Sequence, residues 1–543
     1  MTTDSLGPGE AADAGGGPAV PLAGRRRLAV STLIFGTATG LSRILGLARE
    51  VVAAYFFGAQ GQINSFTIAY QFPNLVRALV ADAALSSAFV PVFSELLEKG
   101  ERKRAWRVAS SLFWLLLLGL TGLTALFMVI APLVVRPFHP IDLNLTVALS
   151  RILFPTVVLL GVSGIIVGIL NTYDHFTVPA LAPVFWNLAI IAGLVLGVPN
   201  AESDTKKLYI YALSVLVATV IQVLLPVPWL RGLEHGEERL RMVIDWRDPM
   251  VLRTFKLMIP VTLGLGLINV NALIDTFFAS RLINADLAPT AIQKAFLIYM
   301  LPQGMFSVAI ATVLFPTLSR LAVRRDFDGF RETVGRGLRQ IAFLLVPASA
   351  LFAVLAQPIV RILFQRGAWT PSQTPVTADI LVAFSVGLVF NGAMLLLNRA
   401  FFSLQSNWIP TAVALANLFL NALLDLALYR VGAWGIALAT AIVNIAGTAA
   451  LVFLLRRRIG GIEGRRTANS VARIAIASAL LAGSSYVVWR ALDASLGRSF
   501  IAQFVSLGLA LATAVGVYLA ACKVLEVREL RTLLSLADRF RRA

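Results

Sequence analysis

The chain has 543 residues, of which 58% are hydrophobic and only 14% charged, with a formal net charge of +18. Soluble domains carry about 25% charged residues, so a composition this apolar excludes a water-soluble globular protein and requires lipid around the fold. The positive balance does not indicate nucleic acid, because the basic residues gather in short loops between apolar runs. A single cysteine, Cys522, rules out a disulfide framework. His139, His175 and His235 lie far apart and make no metal-ligand spacing.

In chain order, residues 1–24 are rich in Gly, Pro and Ala and too poor in large apolar residues to fold. They lack the basic start and apolar core of a cleaved signal peptide and read as a disordered cytoplasmic tail. Apolar runs of the ~20 residues needed to cross a hydrocarbon core then recur. They predict about fourteen spans, over 28–57, 64–95, 106–136, 143–171, 178–198, 207–231, 251–281, 287–319, 338–364, 373–404, 408–429, 433–456, 468–492 and 499–523. The expected fold class is an all-α polytopic membrane protein. Pro73, Gly164, Pro260 and Pro302 fall inside runs, which a bundle tolerates where neighbours satisfy the freed backbone groups.

The loops divide into two sets. Arg25–Arg27, 98–104, 231–241, 320–339, 456–466 and the segment from Lys523 are strongly basic; 58–64, 136–144, 199–207, 281–289 and 365–373 are not. Short basic loops stay on the cytoplasmic side, so both termini are expected in the cytoplasm, which agrees with an even number of spans. The segment 523–543 has Leu at helical spacing and Arg on the other face. It reads either as an amphipathic helix on the inner membrane surface or as a solvated helical extension.

An internal repeat is visible. APLVVRPF (131–138) resembles AQPIVRILF (356–364), and 168–191 resembles 395–420, at an offset of about 225–230 residues. The expected organisation is a tail (1–24), an N-terminal lobe with spans 1–6 (25–232), a cytoplasmic loop (233–250) and a C-terminal lobe with spans 7–12 (251–457). A helix pair with spans 13–14 (458–524) and a cytoplasmic amphipathic tail (525–543) complete it. Duplicated halves commonly place a substrate site at their interface, with alternating access by rocking.

Charges inside spans cost at least ~2.5–3.5 kcal/mol each and persist where they face a wet cavity or a partner. The stretch LSRILGLARE (41–50) carries Arg43, Arg49 and Glu50, with Arg43 and Glu50 seven apart on nearly one face. The second span adds Arg77 and Asp82. Salt bridging through Glu50 and Asp82 absorbs two of the three arginines. The third leaves surplus positive charge, which suits an anionic ligand, since guanidinium forks match phosphate oxygens. In the second half, Asp275, Asn421, Asp425 and Thr440 are hard oxygen donors. They would hold Na⁺ or a proton if they converge, or bond across helices as structural polar residues do. No nucleophile, general base or Walker A motif is evident, so neither catalysis nor ATP is expected.

SRILGLARE (42–50), YFFGA (55–59), FPNLVRALVADAALSSAFVPVFSE (72–95), LPQGMFSVAIATVLFPTLSR (301–320) and PIVRILFQRGAWT (358–370) resemble the MurJ (MviN) family, lipid II flippases of peptidoglycan synthesis within the MOP transporter superfamily. The resemblance runs from about residue 28 through nearly the whole chain. It implies fourteen spans in two lobes around a V-shaped central cavity. Arg43, Arg49 and Arg77 would line that cavity and hold the pyrophosphate of the undecaprenyl-linked precursor, with Glu50 and Asp82 at acidic positions of the same site. It implies a groove for the lipid tail along the last helix pair. It also implies a Na⁺ site of Asp275, Asn421, Asp425, the Ile436 carbonyl and Thr440. Three departures stand out. Asn64 replaces a common Asp, Ala78 replaces the second Arg of a pair, and Phe296–Leu297 replace an Asp–Arg pair of the eighth span. Lys294, one turn before Leu297, is the cation expected to compensate. The expected activity is flipping of lipid II from the cytoplasmic to the outer leaflet of the plasma membrane, driven by a Na⁺ or H⁺ gradient or the membrane potential. The alternatives are a flippase for another polyprenyl-linked saccharide and a non-transporting scaffold that recruits cell-wall or division proteins. A cation-coupled drug exporter fits poorly with three cavity arginines.

Overall fold

In the computed structural model, residues 22–80, 83–233, 236, 238–461 and 464–530 are described. The N-terminal tail up to residue 21 and the amphipathic segment beyond 530 therefore lie outside them. The described chain is almost wholly helical. Its N-terminal half comprises α1 (Leu22–Phe57), α2 (Ile63–Val80), α3 (Ala83–Glu98), α4 (Arg102–Val135), α5 (Leu143–Leu153), α6 (Thr156–Thr172), α7 (Thr177–Gly197), α8 (Asp204–Leu224) and α9 (Val227–Leu233). The C-terminal half comprises α10 (Pro249–Phe278), α11 (Ala288–Pro302), α12 (Val308–Val323), α13 (Phe327–Phe364), α14 (Gln373–Ser403), α15 (Trp408–Leu428) and α16 (Ala433–Ile459). The pair α17 (Gly464–Leu496) and α18 (Phe500–Val524) packs on α13.

Each of the expected spans coincides with helix, and 11 described runs are long and apolar enough to cross a membrane by length and composition. Large apolar side chains such as Val129, Leu133, Leu196 and Ile501 remain exposed along these rods, as a lipid-facing surface requires. Some spans are two helices rather than one. The run 143–171 breaks between α5 and α6 at Pro155, which has no N–H to continue the ladder; Thr156 Oγ1 donates to the freed Leu153 carbonyl at 2.6 Å. The run 287–319 passes through a π-helical turn at Gln303–Ser307, directly after Pro302. A second π-helical stretch, Ala279–Asn284, extends α10. Side-chain caps start several rods: Asp142, Ser203, Asp248, Asp326 and Ser499 accept from the first turns of α5, α8, α10, α13 and α18.

The sequence repeat has a backbone counterpart. Left-handed residues recur at matching turns: Gly100 (φ 77°) with Arg325 (φ 56°) before α4 and α13, and Asp174 (φ 61°) with Gln405 (φ 55°) after α6 and α14. These pairs stand 225 and 231 residues apart, within a residue of the offset read from sequence. The largest buried apolar cluster, including Tyr299, Phe330, Phe384 and Phe401, lies almost entirely in the C-terminal half. Separate clusters around Phe89, Phe93 and Trp106 and around Phe66 and Tyr211 fill the N-terminal half. Separate apolar clusters in the two halves leave a polar seam between them, which sets up the site.

Candidate functional site

The seam is densest at the end of the bundle away from the basic loops. After α1, Gly58 and Gly61 take positive φ and fold the chain back so that its backbone meets the other half. Gly61 N donates to the Asp286 backbone carbonyl at 2.9 Å and to its carboxylate at 3.0 Å. Ala59 N donates to Gln373 Oε1 at 2.9 Å, and Ala368 N to the Tyr55 carbonyl at 2.8 Å. Asn64, fully buried, is the centre of this seal. Its amide donates to the carbonyls of Ala59 (2.9 Å), Gly61 (3.2 Å) and Asp286 (2.7 Å), while its Oδ1 accepts from Thr290 N at 2.9 Å. An aspartate has no N–H for those three carbonyls, which explains the departure seen in the sequence. One turn deeper, the Thr67 and Thr290 hydroxyls bond at 2.8 Å.

Below the seal lies an ion triad. Lys294 Nζ reaches from α11 to Glu50 Oε2 on α1 at 2.5 Å and to the Glu50 carbonyl at 3.2 Å. Arg49 Nη2 donates to Glu50 Oε1 at 2.6 Å. The side chains are 6%, 12% and 18% exposed for Lys294, Glu50 and Arg49, so one carboxylate is shared by two shielded cations and the triad keeps one net positive charge. The Arg49 guanidinium lies 4.7 Å over the Trp186 ring, and its Nε is buried without a hydrogen-bond partner. A cavity of about 50 Å³ adjoins the triad, walled by Thr67, Tyr70, Tyr211 and Thr290 among others.

The remaining expected cavity residues are distributed around this centre. Arg43 stands two turns from Glu50 on α1, exposed, with its guanidinium against Gly304 of the other half. Arg77 donates to Asn74 Oδ1 at 2.8 Å, and Asn74 donates to Asn269 Oδ1 on α10 at 3.2 Å, so the second arginine too is tied to the seam. Asp82 lies outside the described residues. Lys294, read from sequence as a cavity cation, lines the cavity and is engaged there by Glu50. Sequence reasoning passed over Trp186, Thr67, Thr290 and Gln373; only the polar character of Thr67 and Thr290 within apolar runs hinted at them.

The oxygen-donor set converges in part. Asn421 Nδ2 donates to Asp275 Oδ1 at 2.8 Å and to Asp425 Oδ2 at 3.0 Å, joining α10 to α15. Asn421 Oδ1 and Asp425 Oδ1 are buried with no hydrogen-bond partner. On the neighbouring α16, Thr440 Oγ1 donates to the Ile436 carbonyl at 3.3 Å. Two orphaned oxygens beside two carboxylates are what a hard cation would satisfy.

Helical rods long and apolar enough to cross a membrane, in two repeated halves with shielded cations where they meet, define a polytopic helical membrane protein with a charged seam. The fold matches a solved structure titled "Inward-facing conformation of a multidrug resistance MATE family transporter of the MOP superfamily", with TM-score 0.68, 12% identity and coverage of 79% of this chain and 98% of that one. It matches another titled "Lipid II flippase MurJ, inward closed conformation" with TM-score 0.74, 24% identity and coverage of 91% and 98%. A Vibrio cholerae protein named "Probable lipid II flippase MurJ" is 32% identical over 482 residues, 86% of this chain and 89% of that one. The family model "Lipid II flippase MurJ" matches residues 53–492. The chain belongs to the MurJ family.

Proposed function

We propose that this protein flips lipid II, the undecaprenyl-pyrophosphate-linked peptidoglycan precursor, from the cytoplasmic to the outer leaflet of the plasma membrane. The observation that carries the reading is the shared-carboxylate triad at the seam of a MurJ-family fold. It supplies surplus positive charge where the two halves must part, and an anionic head needs that charge to leave water. The basic loops face the cytoplasm, so the sealed end is the outer one. Arg49, with Arg43 and Arg77, receives the pyrophosphate from the cytoplasmic side, bidentately where the fork allows. No bond is broken, and the protein's work is to shield charge and alternate access.

The gradient that drives transport is read from the second half. Asp275, Asn421 and Asp425, with the Ile436 carbonyl and Thr440, would hold Na⁺, whose binding would supply the coupling free energy. The orphaned Asn421 and Asp425 oxygens support this assignment, and the direct α10–α15 link would let the state of that site bias how the C-terminal half packs. Lipid II translocation in cells depleted of their own flippase tests the function. Wild type should restore it, and Arg49→Ala at equal membrane level should not. A well-expressed wild type that restores nothing refutes the reading in favour of another polyprenyl-linked substrate or a scaffold role.

A further inference from the structure

Resting on that reading, we propose that Lys294 and Glu50 form a latch between the two halves, and that a phosphate-bearing head group releases it by taking Arg49 and Lys294 away from the carboxylate.

The geometry has three parts. The Lys294–Glu50 contact crosses from α11 to α1 at 2.5 Å, so the outer end cannot open without parting it. Parting it unaided is costly, because a buried ion left without its partner keeps its desolvation penalty. The same two cations are the ones an anion would seek. Arg49 holds a buried, unpartnered Nε beside the cavity that Lys294 also lines, so part of its donor capacity is unused while Glu50 is bound.

A pyrophosphate carries more negative charge and more acceptor oxygens than one carboxylate, and it can satisfy a guanidinium fork and an ammonium together. Once it does, Glu50 loses both partners and faces a like charge, a repulsion that parting of the halves and entry of water relieve, while Lys294 exchanges a partner fixed on α1 for one carried by the ligand. The ligand thereby meets the cations' share of the penalty for breaking the latch, and water reaching Glu50 as the end opens meets the rest. The remaining outer contacts include the neutral Thr67–Thr290 and Asn64–Thr290 hydrogen bonds and the Gln60 and Gly61 N–H bonds to the Asp286 carboxylate, and none of them pairs a cation that the ligand competes for. A neutral head gives neither cation a replacement and leaves the latch shut. Lys294 is thus a positioning residue that couples ligand charge to opening.

The test uses the full chain in lipid nanodiscs, with Cys522→Ala removing the native thiol. Spin labels go on Glu202→Cys and Thr370→Cys, exposed positions on the outer loops of the two halves. Without ligand, the otherwise wild-type protein should give one short distance. Undecaprenyl pyrophosphate should add a longer one, raising the open-to-closed ratio about tenfold or more, and undecaprenol should not. Inorganic pyrophosphate producing the same shift would support the latch and show that the anion alone suffices. Lys294→Met should show the long distance without ligand and gain little from it. Lys294→Arg and the exchange Glu50→Lys with Lys294→Glu should restore the short distance, which loss of packing alone would not predict. An unchanged short distance in Lys294→Met overturns the proposal. So does a wild type that ignores undecaprenyl pyrophosphate, or one that opens equally with undecaprenol. Lipid II translocation by the same wild-type protein separates the two claims: a protein that translocates yet shows no latch behaviour refutes the latch alone, and one that does not translocate refutes the reading beneath it.

Discussion

Asn64→Asp is the substitution whose effect can be worked out most fully from the seal. Asn64 makes four hydrogen bonds, three as donor and one as acceptor. Aspartate retains the acceptor that receives Thr290 N and loses every donor. Two of the lost bonds, to Ala59 and Gly61, lie within the N-terminal half and persist or fail together in any conformation. The third, to the Asp286 carbonyl at 2.7 Å, joins the halves, so its loss acts on the closed outer end. The Asp286 carbonyl keeps the Gly61 N–H at 2.9 Å, so the loss is that of one hydrogen bond, about 0.5–1.5 kcal/mol. At 1.4 kcal/mol per factor of ten, that is roughly a two- to twelvefold rise in the open-to-closed ratio. The new carboxylate also lies near Asp286, which pushes the same way. Distance distributions between labels on the outer loops read this ratio, and Asn64→Asp should populate the long distance with no ligand. A closed fraction indistinguishable from wild type would refute the reasoning, because it would mean the Asn64–Asp286 bond carries none of the seal.

Three other perturbations address separate parts of the account. Gly58→Ala places a methyl where φ is +65° and where a Cβ would lie 2.7 Å from the Ala368 carbonyl; it should cost ~1–3 kcal/mol, seen as a lower thermal unfolding midpoint, and an unchanged midpoint would mean the loops do not meet as described. Trp186→Ala removes the ring under Arg49 and should weaken binding of undecaprenyl pyrophosphate, measured by calorimetry, by the ~0.5–2 kcal/mol of a shielded cation–π contact, with Trp186→Phe recovering part of it. If Asp275, Asn421 and Asp425 hold Na⁺, replacing KCl by NaCl should raise the unfolding midpoint of wild type, by about 2.7 kcal/mol of stability at a hundredfold excess over the dissociation constant. Asp425→Asn should abolish that response, and equal responses in the two proteins would contradict the site.

The bundle was legible because lipid leaves few options: every backbone group must be satisfied internally, so a span is a long apolar helix and its ends are marked by polar loops. The repeat was legible because 131–138 resembles 356–364 and 168–191 resembles 395–420 at nearly one offset, and the left-handed turn residues Asp174 and Gln405 recur at it in the structure. Helix interruptions were less visible. Pro155 and Pro302 sit inside apolar runs, and nothing in the periodicity shows that one gives a clean break and the other a π-turn. Arg49 and Glu50 could be named as a site because intramembrane charge is rare. The engagement of Lys294 by Glu50 could not, because 244 residues separate them and spacing along one helix says nothing about a partner on another. Asn64 stood out only as a departure. Its role appears once Gly58 and Gly61 turn the chain toward Asp286, a backbone event that the side-chain pattern does not encode.

The central claim is that the cations at the seam are there to carry a pyrophosphate head across the membrane. The most direct measurement is lipid II translocation in cells depleted of their own flippase, comparing wild type with Arg49→Ala at matched membrane levels. The account predicts restoration by wild type and loss in the variant. Full translocation by Arg49→Ala would contradict it, since the head would then be crossing without the guanidinium placed to receive it.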